Sequence, residues 1–431
     1  MNSEGTTPRT RALLPFLAVE AATLLSGIGN GIVIVALPWL ILERTGSATL
    51  AGTLAAITAL PTMAAALFSG TIVDLVGRRL VSVVSDLFSL VAVALIPILD
   101  ATVGLSFAGI AVLGVFGAVF DPAGVGARES MLPEAAEAAD IHLSRANGIH
   151  EAVWGGAFLL GPGLGGLLIA WVGAASTFWS TAVMFAMSAL VMILVAVPGA
   201  GKPAVDDKPE GMWLGTKEGL QFLWRDRPQR ALAVLMMALV MLYLPVEAVV
   251  FPVHFESLDQ PGSLGLVLMA LSAGGIVGAL SFGWLTKRFT MYRIFLAALA
   301  LTSVAFVPMV PLPALYILLP CAALVGLAFG PVQPILNTVM QTRTPSRLRG
   351  RVVGLQSALQ YAAGPIGYLA VGPIVDNYGV VAAMTVVALG FFVVTVIAFL
   401  WPVLRRIDES APDGAPPQRP HVEDAPPPRP A

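Results

Sequence analysis

Long apolar runs separated by short polar segments follow one another along almost the whole chain. Most of them have the ~20 residues that an α-helix needs to cross the ~30 Å hydrocarbon core of a membrane. The alternation of apolar and polar positions that is typical of outer-membrane strands is absent, so the runs indicate helices. The pattern predicts twelve membrane-spanning helices, within residues 13–42, 48–73, 80–99, 103–120, 149–172, 174–197, 231–253, 264–285, 294–310, 312–336, 352–375 and 380–403.

The polar segments between these runs predict the domain organisation. Residues 198–230 form the longest interior segment and divide the spans six to six. Residues 198–211 fit a disordered linker, and the part with Leu220 and Trp224 predicts an amphipathic helix on the inner membrane face. The full division is a cytoplasmic N-terminus at 1–12, a bundle at 13–197, the linker, a second bundle at 231–404 and a Pro-rich tail at 405–431, predicted to be disordered, with a polar loop at 121–148 inside the first bundle.

Composition and charge support the membrane class and give an orientation. Of the 431 residues 57% are hydrophobic and 12% charged, against about 25% charged in soluble domains. Arg44 alone among the 24 lysines and arginines falls in an outer segment when the N-terminus is cytoplasmic, so both termini are predicted to be cytoplasmic. The single cysteine, Cys321, excludes a disulfide framework.

An internal repeat supports two parallel halves. Gly-Pro-Gly at 161–163 in the fifth span corresponds to Gly-Pro-Ile-Gly at 364–367 in the eleventh. Phe-Asp-Pro at 120–122 in the fourth span corresponds to Phe-Gly-Pro at 329–331 in the tenth. The sequence therefore predicts two six-helix bundles of related structure.

The loop after the second span carries the most specific motif, Gly-Thr-Ile-Val-Asp-Leu-Val-Gly-Arg-Arg at 70–79. Gly70 permits close helix packing and Gly77 a tight reversal. Asp74 lies at the membrane edge, where its charge needs a partner such as a helix N-terminus or an arginine. An ordinary positive-inside loop is the alternative interpretation, above all for Arg78 and Arg79.

This segment resembles the signature G-x-x-x-D-x-x-G-R-[RK] of the major facilitator superfamily. Gln-Thr-Arg-Thr-Pro at 341–345, Gly-Arg-Val-Val-Gly-Leu at 350–355 and Gly-Pro-Gly-Leu-Gly-Gly at 161–166 resemble its drug:proton antiporter branch, which contains macrolide-efflux proteins and the enterobactin exporter. The resemblance covers roughly residues 12–404. It implies the major facilitator fold, an all-α membrane protein of twelve helices in two six-helix bundles, with a central cavity and alternating access.

The resemblance also implies a conformational latch. Asp74 would meet the start of the eleventh helix near Arg351 and lock the outward-facing state, so that Asp74→Asn should lower transport while the protein still reaches the membrane. Two residues depart from the pattern: Leu75 stands where an arginine is common, and Asn30 stands where many members carry an aspartate. The remaining latch positions are Gly70, Gly77, Arg78 and Arg79, and the exporter-type motif of helix five comprises Gly161, Pro162, Gly163, Gly165 and Gly166.

Ionisable residues inside spans are functional candidates because a charge in lipid is costly. A carboxylate in apolar surroundings is suited to bind and release protons. Glu20 and Glu247 lie furthest from the loops, and Asp86 and Glu151 are alternatives that could instead be structural partners. Asp121 is expected to cap a helix or pair with a loop arginine, and His150 and His254 are expected to be interfacial.

Polar residues of the first, tenth and eleventh spans are candidates for the wall of a substrate cavity, although such amides also bridge helices. They are Asn30, Gln333, Asn337, Gln356, Gln360 and Tyr361. Gly-Ala-Gly-Lys at 199–202 is not a phosphate-binding loop, because Pro203 replaces the Ser or Thr that the loop requires. No metal-site spacing or nucleophile elbow is present, so no enzyme activity and no cofactor are expected.

The sequence therefore predicts a secondary active exporter of the cytoplasmic membrane that moves small amphipathic compounds of the drug type in exchange for protons. We expect a monomer in the lipid bilayer, with a small-molecule substrate and protons as partners and with neither nucleotide nor nucleic acid. A siderophore or metabolite exporter, an uptake symporter, a lipid translocase of the same fold, and a membrane sensor or scaffold are the alternatives.

Overall fold

The structure is a computed structural model that describes residues 13–197, 220–344 and 346–409. In chain order its α-helices are α1 Leu13–Thr45, α2 Ala48–Val76, α3 Arg78–Thr102, α4 Phe107–Ala118, α5 Asp121–Ala138, α6 Leu143–Val172, α7 Ala174–Leu194, α8 Arg227–Pro245, α9 Phe251–Ser257, α10 Pro261–Leu285, α11 Met291–Phe306, α12 Leu315–Phe329, α13 Val332–Arg343, α14 Ser346–Tyr378 and α15 Val380–Leu400. A π-helical turn, Val246–Val250, joins α8 to α9, and two 3₁₀ segments lie at Val307–Met309 and Pro402–Asp408.

Twelve helical stretches of the described residues are long and apolar enough to cross a membrane, which confirms the predicted fold class. Four of these spans change helix partway, and each change lies beside proline or glycine: Pro122 between α4 and α5, Pro245 before the π-helical turn, Pro308 in the 3₁₀ segment after α11, and Gly330 between α12 and α13. Proline lacks the N–H that would continue the helical ladder, so helices bend or restart at such positions.

The spans form two groups. In the first, α1 packs against α6 and α7, and α3 packs against α5 and α7. In the second, α10 and α11 pack against α12, and α8 packs against α14. The last two spans of each group are joined by a single glycine with positive φ, Gly173 at +82° and Gly379 at +84°, a conformation that costs glycine little. The two halves therefore share a turn at corresponding positions.

The outer surface of both groups is apolar. Val183 in the first group and Leu280 and Val304 in the second expose 51%, 78% and 65% of their surface, although leucine and valine are usually buried in soluble proteins. In a membrane the hydrocarbon covers such residues, and the backbone hydrogen bonds are satisfied inside each helix. The fully buried side chains, such as Phe178 and Phe391, lie between the helices.

Several predicted boundaries differ from the structure. Residues 121–138 are not a polar loop but continue the fourth span as α5, so Arg128 is not one of the cytoplasmic loop cations. The seventh span begins at Arg227 rather than at 231. Residues 402–408 are helical, and the Asp408 carboxylate accepts hydrogen bonds from the first N–H groups of α11, so the proposed tail boundary at 405 is too early.

Of the predicted linker helix, residues 220–225 are helical and residues 198–219 lie outside the described residues, as do the N-terminus and the tail from residue 410. Leu223 is buried against Ala233 and Met340, whereas Trp224 is exposed. The described end of the linker therefore packs one face onto the second group.

Candidate functional site

Asn30 and Asp121 meet halfway along the first and fourth spans. Asn30 Nδ2 of α1 donates a hydrogen bond of 2.8 Å to Asp121 Oδ1, at the first residue of α5. Both side chains are half-buried. The expectation that Asp121 would cap a helix or bind a loop arginine overlooked this neutral partner on another span.

A buried ion pair lies further along the same helix, on the predicted inner side. The Arg128 guanidinium lies 3.1 Å from the Asp86 carboxylate, and both residues are 1% exposed. Arg128 also donates to Ser26 Oγ at 3.1 Å and to Ser82 Oγ at 3.3 Å, while Ser188 Oγ donates to Asp86 at 2.6 Å. The network joins α1, α3, α5 and α7 around one cation, so Asp86 has the structural partner that the sequence left open.

Glu20 and His150 form a second buried pair in the first group. His150 Nδ1 lies 3.1 Å from Glu20 Oε1, and the two residues are 6% and 5% exposed. His150 Nε2 has no hydrogen-bond partner. The expectation of an interfacial His150 is wrong, since this histidine bridges α6 to α1. Glu151, the neighbouring candidate, is exposed.

Glu247 lies in the π-helical turn of the seventh span. Tyr243 Oη donates to its Oε1 at 2.7 Å, and the Tyr243 ring stacks on Phe329 with centroids 5.6 Å apart. π-Helical turns widen the helix by one residue and are frequent at functional sites. Glu247, like Asp121, thus has a neutral hydrogen-bond partner.

The amide candidates for a cavity wall fall into two classes. Gln333 Nε2 donates to Asn337 Oδ1 at 3.4 Å, and both side chains are exposed. Gln356 is buried and Gln360 half-buried, while the side chain of Tyr361 lies outside the described residues. A groove of about 650 Å³ runs instead along α6, lined by Leu24, Arg145, Gly148, Ile149, Ala152, Val153, Gly156 and Leu160.

The glycine-proline motif of the fifth span lies between α1 and α10. Gly161 faces Gly31, where an added Cβ would come within 2.8 Å of the partner backbone. On the opposite side, a Cβ on Gly166 would lie 2.3 Å from the Pro261 carbonyl oxygen. The motif therefore permits backbone contact both within the first group and across to the second.

Pro162 contributes to the contact between α6 and α10 in a second way. A proline leaves the carbonyl four residues earlier without its helical partner, here that of Phe158. Ser272 Oγ of α10 donates to this Phe158 oxygen at 3.2 Å. The carbonyl that the proline frees is thus bonded by a serine of the other group.

A second contact between the groups joins α2 to α14. A Cβ on Gly52 would lie 2.6 Å from the Tyr368 carbonyl oxygen, and one on Gly372 would lie 2.9 Å from Thr49 Cα. At the end of this contact, Asp376 bonds the first residues of α2. The contacts of α2 with α14 and of α6 with α10 together form what we call the outer seam, on the face predicted to be extracellular.

The predicted latch is described only in part. Gly77 has φ +110° and ends α2, as a tight reversal requires. Arg78 pairs with Glu134, and Arg79 donates to the carbonyl oxygen of Met192, so both arginines bind within the first group. The side chains of Asp74 and Arg351 and the surroundings of Gly70 lie outside the described residues, and the latch stays a prediction.

The described residues contain no candidate metal site, because no group of three or more His, Cys, Asp or Glu among them could hold an ion. Sequence reasoning missed Asp121 and Arg128 as interior groups. The available signal was their spacing of seven residues, which places both on one helix face.

Comparison with known proteins gives one family. The profile of the Major Facilitator Superfamily matches residues 20–368. The "Multidrug efflux pump Tap" of Mycolicibacterium fortuitum is 43% identical over 402 residues, which cover 91% of this chain and 97% of that protein. The pump of the same name from Mycobacterium tuberculosis (strain H37Rv) is 44% identical and covers 91% and 95%.

Solved structures share the fold at low identity. The nucleoside transporter NupG matches with a TM-score of 0.73 at 12% identity, covering 91% of this chain and 99% of that one. A D-xylose-proton symporter matches with a TM-score of 0.71 at 12% identity, covering 94% and 98%.

Proposed function

Because the chain belongs to the Major Facilitator Superfamily, we propose that it exports small amphipathic compounds of the multidrug type by proton antiport and alternating access. It is a multi-pass membrane transporter rather than an enzyme. The two relatives named multidrug efflux pumps match it over nine-tenths of its length, which supports this cargo. Both bundles lie in one chain, which supports a monomeric transport unit. The distribution of lysine and arginine supports cytoplasmic termini.

The observation that carries proton coupling is the contrast between Asp121 and Asp86. Protonation of Asp86 would leave the buried Arg128 cation unpaired, which is strongly unfavourable. Asp121 is held by the neutral amide of Asn30, so it can take up and release a proton without leaving a cation behind. We therefore rank Asp121 first for coupling, Glu247 second because its partner is also neutral, and Glu20 third.

The closed outer seam supports alternating access. Backbone contacts at glycine seal the predicted extracellular side, while the groove along α6 reaches from Leu160 to Arg145 near the predicted cytoplasmic end. We propose that this is the inward-facing state, in which the groove receives cargo. Its lining is predominantly apolar, which suits the hydrophobic part of an amphipathic molecule.

The test is transport by the purified full-length chain in proteoliposomes with an imposed pH gradient, screened across drugs, siderophores and labelled lipids. Drug movement that follows the gradient and disappears with a protonophore supports the proposal. Movement of siderophores or lipids alone would replace the cargo class, and drug movement that ignores the gradient would eliminate antiport.

A further inference from the structure

The start of α2 is capped by a carboxylate from the other bundle. Asp376, in the last turn of α14, accepts hydrogen bonds from the Ala48 N–H at 2.8 Å, the Thr49 N–H at 2.9 Å and the Ser47 hydroxyl at 3.0 Å. Ser47 Oγ also accepts from the Leu50 N–H, as an N-cap does. Two of the free N–H groups of this helix end therefore have a protein partner only while the two bundles touch.

Such a contact is favourable for two physical reasons. The first N–H groups of a helix have no partner inside it, and the helix dipole places partial positive charge there. An ionised carboxylate that accepts several of these hydrogen bonds makes charge-assisted bonds, which are shorter and stronger than neutral ones. Asp376 supplies all three, and its neighbour Asn377 bonds only within its own helix, to the Pro373 carbonyl oxygen.

The contact lies where an outer opening must begin. Below it, Gly372 faces Thr49 and Gly52 faces Tyr368, so the two helices are in backbone contact for about one turn. These helices cannot separate on that side without breaking the three bonds of Asp376. The carboxylate is exposed, so water can replace the lost partners once they part.

The register of α2 and α14 relates Asp376 to an aspartate at the other end of the same helix pair. They run antiparallel, with residue 52 beside 368 and 49 beside 372. By residue count alone, the same register would bring Asp74, in the last turn of α2, level with Ser346 at the start of α14 when the inner ends of the two helices close. Each helix carries an aspartate in its last turn, Asp74 in α2 and Asp376 in α14.

We propose that Asp376 is the outer counterpart of the Asp74 latch: its carboxylate bonds the start of α2 to hold the outer seam closed, and it releases α2 when the transporter opens outward. The proposal rests on alternating access. It assigns two mutually exclusive bonds to the pair α2 and α14: that of Asp376 when the outer side is closed, and that of Asp74 when the outer side is open.

Labelling of a buried thiol tests this directly. Val249 is fully buried beside Gly52, so Val249→Cys, in full-length protein with Cys321→Ser, reports opening of the outer seam to an impermeant maleimide in right-side-out vesicles. We expect Asp376→Asn to label about fivefold faster than its parent, the effect of losing a charged group at a helix N-terminus. Asp376→Glu, which keeps the carboxylate, should label close to the parent rate.

Asp100→Asn is the matched control. It removes a carboxylate from the same face, but its partner Arg44 belongs to the same bundle, so labelling should not change. Equal labelling of Asp376→Asn and Asp100→Asn would overturn the proposal. If Asp376→Asn does not reach the membrane, Ser47→Ala takes its place. It removes the bond to Asp376 and also the cap bond to Leu50, which lies inside the first bundle in both states. We expect roughly twofold faster labelling for the lost bond between the bundles, and an unchanged rate would overturn the proposal.

The labelling rate requires neither cargo nor a gradient. Loss of the Asp376 effect in a protein that still exports drugs would remove this gate and leave the proposed function intact. A protein that moves no drug but shows the Asp376 effect would support the gate and contradict the proposed function.

Discussion

Asn30 Nδ2 lies 2.8 Å from Asp121 Oδ1, so an amide of the first span holds a carboxylate of the fourth. The family resemblance leads one to expect an acidic residue at position 30, and its absence put coupling at that position in doubt. The structure shows a carboxylate at the same level on the adjacent span. Relative to the family pattern, the acid has changed place: the amide is on the first span and the acid is on the fourth.

Asp121→Asn should reduce gradient-driven drug transport to below about a tenth of the parent rate, because the asparagine cannot exchange a proton. Transport is measured in proteoliposomes at matched protein content. Asp100→Asn, a carboxylate lost from the membrane surface, should leave transport unchanged. Full gradient-driven transport by Asp121→Asn would exclude this residue from coupling.

The exchange Asn30→Asp with Asp121→Asn should recover a substantial part of the transport that Asp121→Asn loses. It retains one carboxylate and one amide at hydrogen-bond distance and only moves the carboxylate to the first span. The same proteoliposome assay compares the single and double variants. A double variant no better than Asp121→Asn alone would show that the position of the acid matters beyond its presence.

Arg128→Ala should destabilise the protein by about 3–5 kcal/mol, because it leaves the Asp86 charge buried without a partner. Thermal unfolding in detergent measures the loss as a lower midpoint. Arg128→Met combined with Asp86→Asn removes both charges together and should be clearly less destabilising. Equal losses in the single and double variants would contradict a stabilising ion pair.

Ser272→Ala should weaken the closed outer seam, since the Phe158 carbonyl that Pro162 frees would lose its partner from the other bundle. We expect roughly two- to threefold faster labelling of the Val249→Cys reporter, the effect of one net hydrogen bond. Ser281→Ala is the control on the same helix, because the Ser281 hydroxyl bonds only to Gly278 of its own helix. Identical labelling of the two variants would show that the Ser272 bond does not contribute to closure.

The number and type of the helices could be predicted because a membrane span reveals itself through the length of its apolar run. Hydropathy measures the cost of placing each side chain in lipid and contains no information about its partner. Arg128 therefore looked like a loop residue, although Asp86 and two serine hydroxyls compensate its burial. For the same reason the fourth span was predicted to end at residue 120, whereas in the structure it continues to residue 138.

The pairings within the site could not be predicted for a related reason. Glu20 and His150 are 130 positions apart, and Asn30 and Asp121 are 91 apart. One sequence gives the residue types but not which faces of distant helices meet. The glycine-proline motif was informative because its effect is local: the proline frees a carbonyl four residues away, whatever the rest of the fold does.

The Arg128 network also determines which parts of the protein can move. The Arg128 guanidinium of α5 bonds to α1 and α3, and its ion-pair partner Asp86 accepts a hydrogen bond from Ser188 of α7. The network therefore ties four helices together. Sliding any one of these helices would break a buried charged bond, whereas tilting all of them together breaks none. We therefore expect this half to move as one rigid body, so that any opening takes place at the contacts between the two bundles.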